Sequence, residues 1–222
     1  MQLNFAFYIA IALTLAALVV WFMARRAPAT TPSTTLVAYN LAPLVAAWLV
    51  ALLVPASDHT FYKGAIVFGL LLATLGIALR ESGLLPGYVA HAHLLLTYTL
   101  YAYAFASQTS GWPTPFALLL VAAAALLFWW LWPWLRELQS SLAVYGALLF
   151  LATWQALELA VQHPLWMGWA ALAGMVLVVI AALLEVQGSF NPPRSPFKAQ
   201  WSSAALPIFL LAQLAIAWSI WG

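Results

Sequence analysis

A chain of 222 residues that is 66% hydrophobic and 5% charged cannot clothe a water-facing surface, since soluble domains carry about 25% charged residues. Its formal net charge of +2 is too small and too dispersed to attract nucleic acid, and the absence of cysteine excludes a disulfide framework, a thiolate nucleophile and a thiolate-held metal. Lipid must be the solvent for much of the surface, so the chain reads as an integral membrane protein.

A spanning helix needs roughly 20 mostly apolar residues. The first candidate, Leu3–Met23, has no basic residue before it and Arg25-Arg26 after it. That is the reverse of a secretory signal's charge order, so it reads as a retained helix. Seven more follow in chain order: Thr35–Val54, Tyr62–Leu79, Leu84–Phe105, Phe116–Leu135, Ser141–Ala160, Leu165–Leu184 and Trp201–Trp221. Helix-breaking chemistry separates several of them, at Pro28–Ser33, Gly111–Pro115 and Asn191–Pro196. The connections are short and leave no room for a soluble domain, so residues 1–222 form one transmembrane domain. Open strand edges have no partner in hydrocarbon, and the runs are too long for alternating barrel strands. The expected fold class is therefore all-α, a polytopic bundle of eight transmembrane helices.

Orientation follows from the basic residues. Odd-numbered connections hold Arg25, Arg26, Arg80, Arg136, Arg194 and Lys198, whereas even-numbered ones hold Lys63 beside Asp58 and His59. This bias places odd connections in the cytoplasm and both termini on the non-cytoplasmic side of a bacterial inner membrane. Trp112, Trp132, Trp134, Trp166, Trp201 and Trp221 fall near predicted helix ends, as interfacial aromatic residues do.

Several stretches carry a family resemblance. Gly174–Phe190, the Pro-rich segment after it and LPIFLLAQLAIAWSIWG resemble the last two helices of the YhhN/lysoplasmalogenase-like family, including the run Leu211–Ala217. FGLLLATLGIAL (Phe68–Leu79) resembles its third helix, LLLTYTLYAYAF (Leu94–Phe105) its fourth, and YNLAPL (Tyr39–Leu44) its Lys-Pro segment. The resemblance implies a fold of eight membrane helices. It also implies an activity, cleavage of the vinyl-ether bond of lysoplasmalogens to an aldehyde and a glycerophospho-headgroup. That reaction needs an acid to protonate the enol-ether carbon and a base or positioned water to trap the cation; two carboxylates with separated pKa values would serve. This sequence departs from the family pattern at four places. Ile77 and Ala182 stand where the two aspartates are expected, Ala42 where a lysine precedes proline, and Tyr98 at or near a fourth-helix histidine.

The remaining polar residues define the candidate sites. Glu81 lies four residues after Ile77 and Glu185 three after Ala182, offsets that keep each on the same helix face. They are either a relocated acid–base pair or, the favoured reading, interfacial charges with Glu81 beside Arg80. His91 and His93 point roughly 200° apart on a helix, so they do not share a metal. Either could serve as an axial ligand to haem or chlorophyll magnesium, but a histidine bonded within the bundle is the favoured reading and no cofactor or metal is expected. His91, Leu94, Tyr98 and Tyr101 continue one stripe that faces the bundle interior, where it lines a lipid tunnel or packs. Asn40 precedes Pro43 and either satisfies carbonyls that the proline frees or faces the same interior. Gln155 and Glu158 lie toward the outer end of the sixth helix, where Glu158 reads as an edge residue that snorkels to the headgroups; the alternative is contact with a lipid headgroup or a partner. Gln213 is the most deeply placed amide and is expected to bond between helices.

A nucleotide loop, an HExxH pair, a serine nucleophile elbow and a lysine deep in the last helix are all missing from the sequence, as are charges strung through the membrane interior. The expected function is lipid handling on a lysoplasmalogenase-like fold, with weak or no ether-hydrolase activity; if hydrolysis persists, Glu81 and Glu185 are its acid and base and Asn40 or His91 positions substrate. The alternative is a non-catalytic accessory subunit of a larger respiratory or photosynthetic complex, in contact with pigment or lipid. Membrane lipids, and in the second case other membrane subunits, are the expected partners.

Overall fold

The computed structural model describes residues 5–26, 33–55, 60–81, 87–109, 115–135, 139–190 and 198–222. Among them are eight α-helices and no strand: α1 (Phe5–Arg25), α2 (Ser33–Leu53), α3 (Thr60–Glu81), α4 (Gly87–Ala106), α5 (Pro115–Leu135), α6 (Gln139–Gln162), α7 (Trp166–Phe190) and α8 (Lys198–Trp218), with a closing 3-10 turn at Ser219–Trp221. Each predicted apolar run coincides with one helix. The helices overrun several expected ends, α6 to Gln162 and α7 to Phe190. A backbone in hydrocarbon must keep satisfying its own polar groups until water or a cap takes over, and apolarity alone does not mark that point. The expected start of α4 at Leu84–Pro86, and the connecting residues that include Arg136 and Arg194, lie outside the described residues.

Among the described residues, five helices carry stretches long and apolar enough to cross a bilayer: Phe5–Met23, Thr60–Arg80, Ala143–Gln162, Trp166–Val186 and Ala204–Trp221. A shorter apolar stretch, Val37–Leu53, belongs to α2. α2 and α8 accept Pro43 and Pro207 within the helix, as membrane helices do where neighbours re-satisfy the freed carbonyl.

α2, α3, α4, α6, α7 and α8 form a ring in which each packs on the next and α8 returns to α2. α3 also reaches α8 across it. α1 leans on α2 and α5 on α6, both outside the ring. Leu44, Ile66, Leu70, Tyr101, Leu159, Met175, Leu210 and Ile216 are fully or almost fully buried at its centre. The outward surfaces are apolar as well: Leu15 and Val19 on α1, Leu126 and Trp129 on α5, and Trp169 on α7 are exposed. A surface greasy both inside and out fits lipid as solvent.

In lipid there is little hydrophobic drive to bring helices together, so close backbone approach does the holding. Small residues provide it. A Cβ on Gly174 of α7 would stand 2.5 Å from Ile216 Cγ1 and 3.0 Å from the Ala212 carbonyl oxygen of α8. A Cβ on Gly168 would stand 2.5 Å from the His163 carbonyl oxygen, so the tight connection between α6 and α7 requires glycine there. Helix ends are capped by neighbours: Lys63 Nζ, in the first turn of α3, donates to the carbonyls of Leu52, at 3.3 Å, and Val54. It thereby satisfies orphan acceptors at the end of α2 with a cation on the favourable side of the helix dipole.

Candidate functional site

Polar side chains meet at three levels of the bundle. At the first level, where α3, α5 and α7 end and α4, α6 and α8 begin, Arg80 Nη1 donates to Glu185 Oε1 at 2.8 Å, tying α3 to α7. Both side chains are partly open, 29% and 41% exposed. Beside them the Tyr98 and Tyr145 hydroxyls lie 3.2 Å apart, with their rings edge-to-face at 5.5 Å between centroids. Glu185 is within electrostatic reach of both tyrosines and Arg80 of Tyr145. One guanidinium, one carboxylate and two phenols from four helices thus form the main polar cluster among the described residues.

The second level lies mid-bundle. Tyr101 of α4 is fully buried and donates its hydroxyl to Gln213 Oε1 of α8 at 2.5 Å. It reaches α8 by lying flat over Gly69 of α3, where a Cβ would stand 2.5 Å from Tyr101 Cε1. The Thr97 hydroxyl donates to the His93 carbonyl at 2.9 Å and lies 3.4 Å from the Gly69 carbonyl. Gln213 is 0% exposed, and its Nε2 has no hydrogen-bond partner among the described residues.

At the third level, the opposite end, Tyr62 and Ser219 hydroxyls pair at 2.6 Å. Thr109 Oγ1 donates to Gln155 Oε1 at 3.5 Å, and His163 Nε2 lies 2.9 Å from the Gln108 carbonyl. Glu158 departs from expectation. Rather than snorkelling to a rim it is buried, at 4% exposure, and accepts from Trp154 Nε1 at 3.0 Å. Trp154 is one turn earlier on the same helix, and its indole N–H gives the carboxylate a donor inside the protein.

The sequence candidates are therefore divided among levels. Glu185 and Tyr98 share the first, Tyr101 and Gln213 the second, and Gln155 and Glu158 lie at the third. Leu94, Tyr98 and Tyr101 are all buried. Asn40 is half-buried on α2 and enters none of these contacts. Glu81 and His91 lie in α3 and α4, but their side chains fall outside the described residues. Sequence reasoning missed the role of Arg80 as the partner of Glu185, and missed Tyr145 altogether. Tyr145 carried a faint signal, a phenol in the first turns of α6 on the side that holds most basic residues. No group of three or more metal-binding side chains occurs among the described residues.

The YhhN family model matches residues 37–220, most of the chain. The chain belongs to the YhhN family. No curated protein and no solved structure shows a significant match. Family membership and the apolar helices together describe a lysoplasmalogenase-like membrane protein. Within this YhhN-family chain, Ile77 is buried in the apolar core and Ala182 packs against it. These are the two positions where the resemblance places the family's acids.

Proposed function

We propose that this YhhN-family protein binds and handles membrane lipid, with weak or no vinyl-ether hydrolysis. The Arg80–Glu185 ion pair carries the reading. Enol-ether cleavage begins with proton delivery to carbon, and water then adds to the resulting cation. Glu185 accepts a charged hydrogen bond from Arg80, an arrangement suited to a carboxylate and not to a proton donor. The apolar side chains of Ile77 and Ala182 give no second acid at the family positions. What the cluster offers a lipid is a partly open guanidinium for a phosphate, bordered by two aromatic rings.

The bacterial inner membrane is the location this reading favours, with the Arg80 end in the cytoplasm because the basic residues gather there. The accessory-subunit reading draws on a different feature: α5, packed on α6 outside the ring, exposes Leu119, Leu126 and Trp129. Recovery of a stable larger assembly in mild detergent would favour it.

The direct test is to reconstitute the purified protein in nanodiscs with a lysoplasmalogen. Saturable binding without aldehyde release above a protein-free blank is expected. Aldehyde release that disappears in Glu185→Gln would overturn the proposal and restore Glu185 as a catalytic residue.

A further inference from the structure

Several buried hydroxyls of the core have partners among the described residues. Thr97, Thr153 and Ser219 each donate to a backbone carbonyl, and the Tyr62 and Tyr98 hydroxyls have phenol or serine partners. Gln213 Nε2, like the indole nitrogens of Trp48 and Trp221, is buried and finds none among the described residues; Gln213 differs from the two indoles in that its other polar atom is already held. It is the tenth residue of the apolar stretch Ala204–Trp221, hence near the middle of that span. Its Oε1 is taken by Tyr101, and its Nε2 is buried with no partner among the described residues. If the amide were turned over, the nitrogen would meet the phenol and the oxygen would be the atom left over, so one amide atom is unsatisfied in either orientation. Leaving a buried amide donor unmet is destabilising, and hydrocarbon offers nothing to relieve it. Glutamine is a costly choice at such a position unless something answers its N–H.

The carboxamide is also not free to turn away. Tyr101, wedged over Gly69, fixes it from the α4 side. We propose that the Tyr101–Gln213 pair is an internal binding site for an acceptor oxygen, in which Gln213 Nε2 is the donor and Tyr101 the group that aims it. That oxygen belongs either to an internal water or to the glycerol end of a bound ether lysolipid; the lipid source rests on the function proposed above, and the water source does not.

The test compares wild type with Tyr101→Phe/Gln213→Met. This double variant removes both polar partners at similar volume, so no phenol is left unpaired. Two quantities are read in nanodiscs: the thermal midpoint, and the Kd for a brominated ether lysophosphatidylcholine from tryptophan quenching. Removing an unanswered donor together with its partner is neutral or stabilising, whereas removing an answered one is costly. A roughly tenfold weaker Kd, the effect of about 1.4 kcal/mol, assigns the oxygen to lipid. A lowered midpoint with unchanged Kd, or with no lipid binding to wild type at all, assigns it to water. The last case defeats lipid handling and leaves the site standing. A midpoint that rises or stays put with unchanged Kd overturns the proposal. Should the double variant not fold, glutamine-selective 15N labelling of wild type decides. Cross-peaks from the Gln213 Nε2 protons to water or to lysolipid glycerol protons support the site, and their absence in both samples overturns it.

Discussion

Gly174→Ala should loosen the α7–α8 pair. A methyl group there would stand 2.5 Å from Ile216 Cγ1, 3.0 Å from the Ala212 carbonyl oxygen and 3.1 Å from the Ile216 amide nitrogen. The first contact can yield by a change of rotamer, but the other two are backbone atoms and yield only if α8 moves away. Alanine gains about 1 kcal/mol over glycine in intrinsic helix propensity, and overpacking a tight contact costs about 1–3 kcal/mol. Because two of the three neighbours are rigid, the steric cost should exceed the gain, for a net loss of about 1–2 kcal/mol. Gly146→Ala on α6 is the matched control, since a Cβ there meets nothing within 4 Å. Thermal unfolding in detergent, followed by tryptophan fluorescence, should separate the two variants by several degrees, at about 2–4 °C per kcal/mol for a chain of this length. A Gly174→Ala protein that melts at or above Gly146→Ala would refute the claim that close approach at Gly174 holds α7 to α8.

Three other outcomes are expected. A double-mutant cycle on Arg80→Gln and Glu185→Gln should give a coupling of about 0.2–1 kcal/mol, because both side chains are partly open to solvent; a value several-fold larger would mean that the pair is shielded from water. Tyr62→Phe should cost about 1 kcal/mol through the lost bond to Ser219, and adding Ser219→Ala should recover part of it, read as thermal midpoints. Lys63→Met removes the donor to the Leu52 and Val54 carbonyls and should cost about 0.3–1 kcal/mol, with faster amide hydrogen exchange confined to the last turn of α2; unchanged exchange there would argue against the cap.

Much of the candidate chemistry was readable one residue at a time, and its pairing was not. Tyr98 and Tyr101 follow from helical spacing, and Gln213 from its depth in an apolar run. Glu158 was misread because distance along a helix says how near a rim a residue lies and nothing about which way it turns. Its donor, Trp154, was in plain view one turn away, but whether that face of α6 points inward depends on its neighbours. Tyr145 was passed over because α4 packs on α6 while α5 stands aside, an adjacency that chain order does not suggest.

The kinship with the YhhN family is carried by particular stretches such as Leu211–Ala217, and lipid as solvent and the number of helices by composition and run length. Those last two properties depend on how each short segment partitions between water and hydrocarbon. The order of helices round the ring, the ion pair between residues 105 apart and the phenol–amide bond between residues 112 apart were decided when the helices packed. Apart from α4, where the spacing of Leu94, Tyr98 and Tyr101 marks the buried side, the runs are apolar all round and do not announce an inner face. Which face turns inward is set by where a glycine lets a neighbour approach and where a buried polar atom finds its partner.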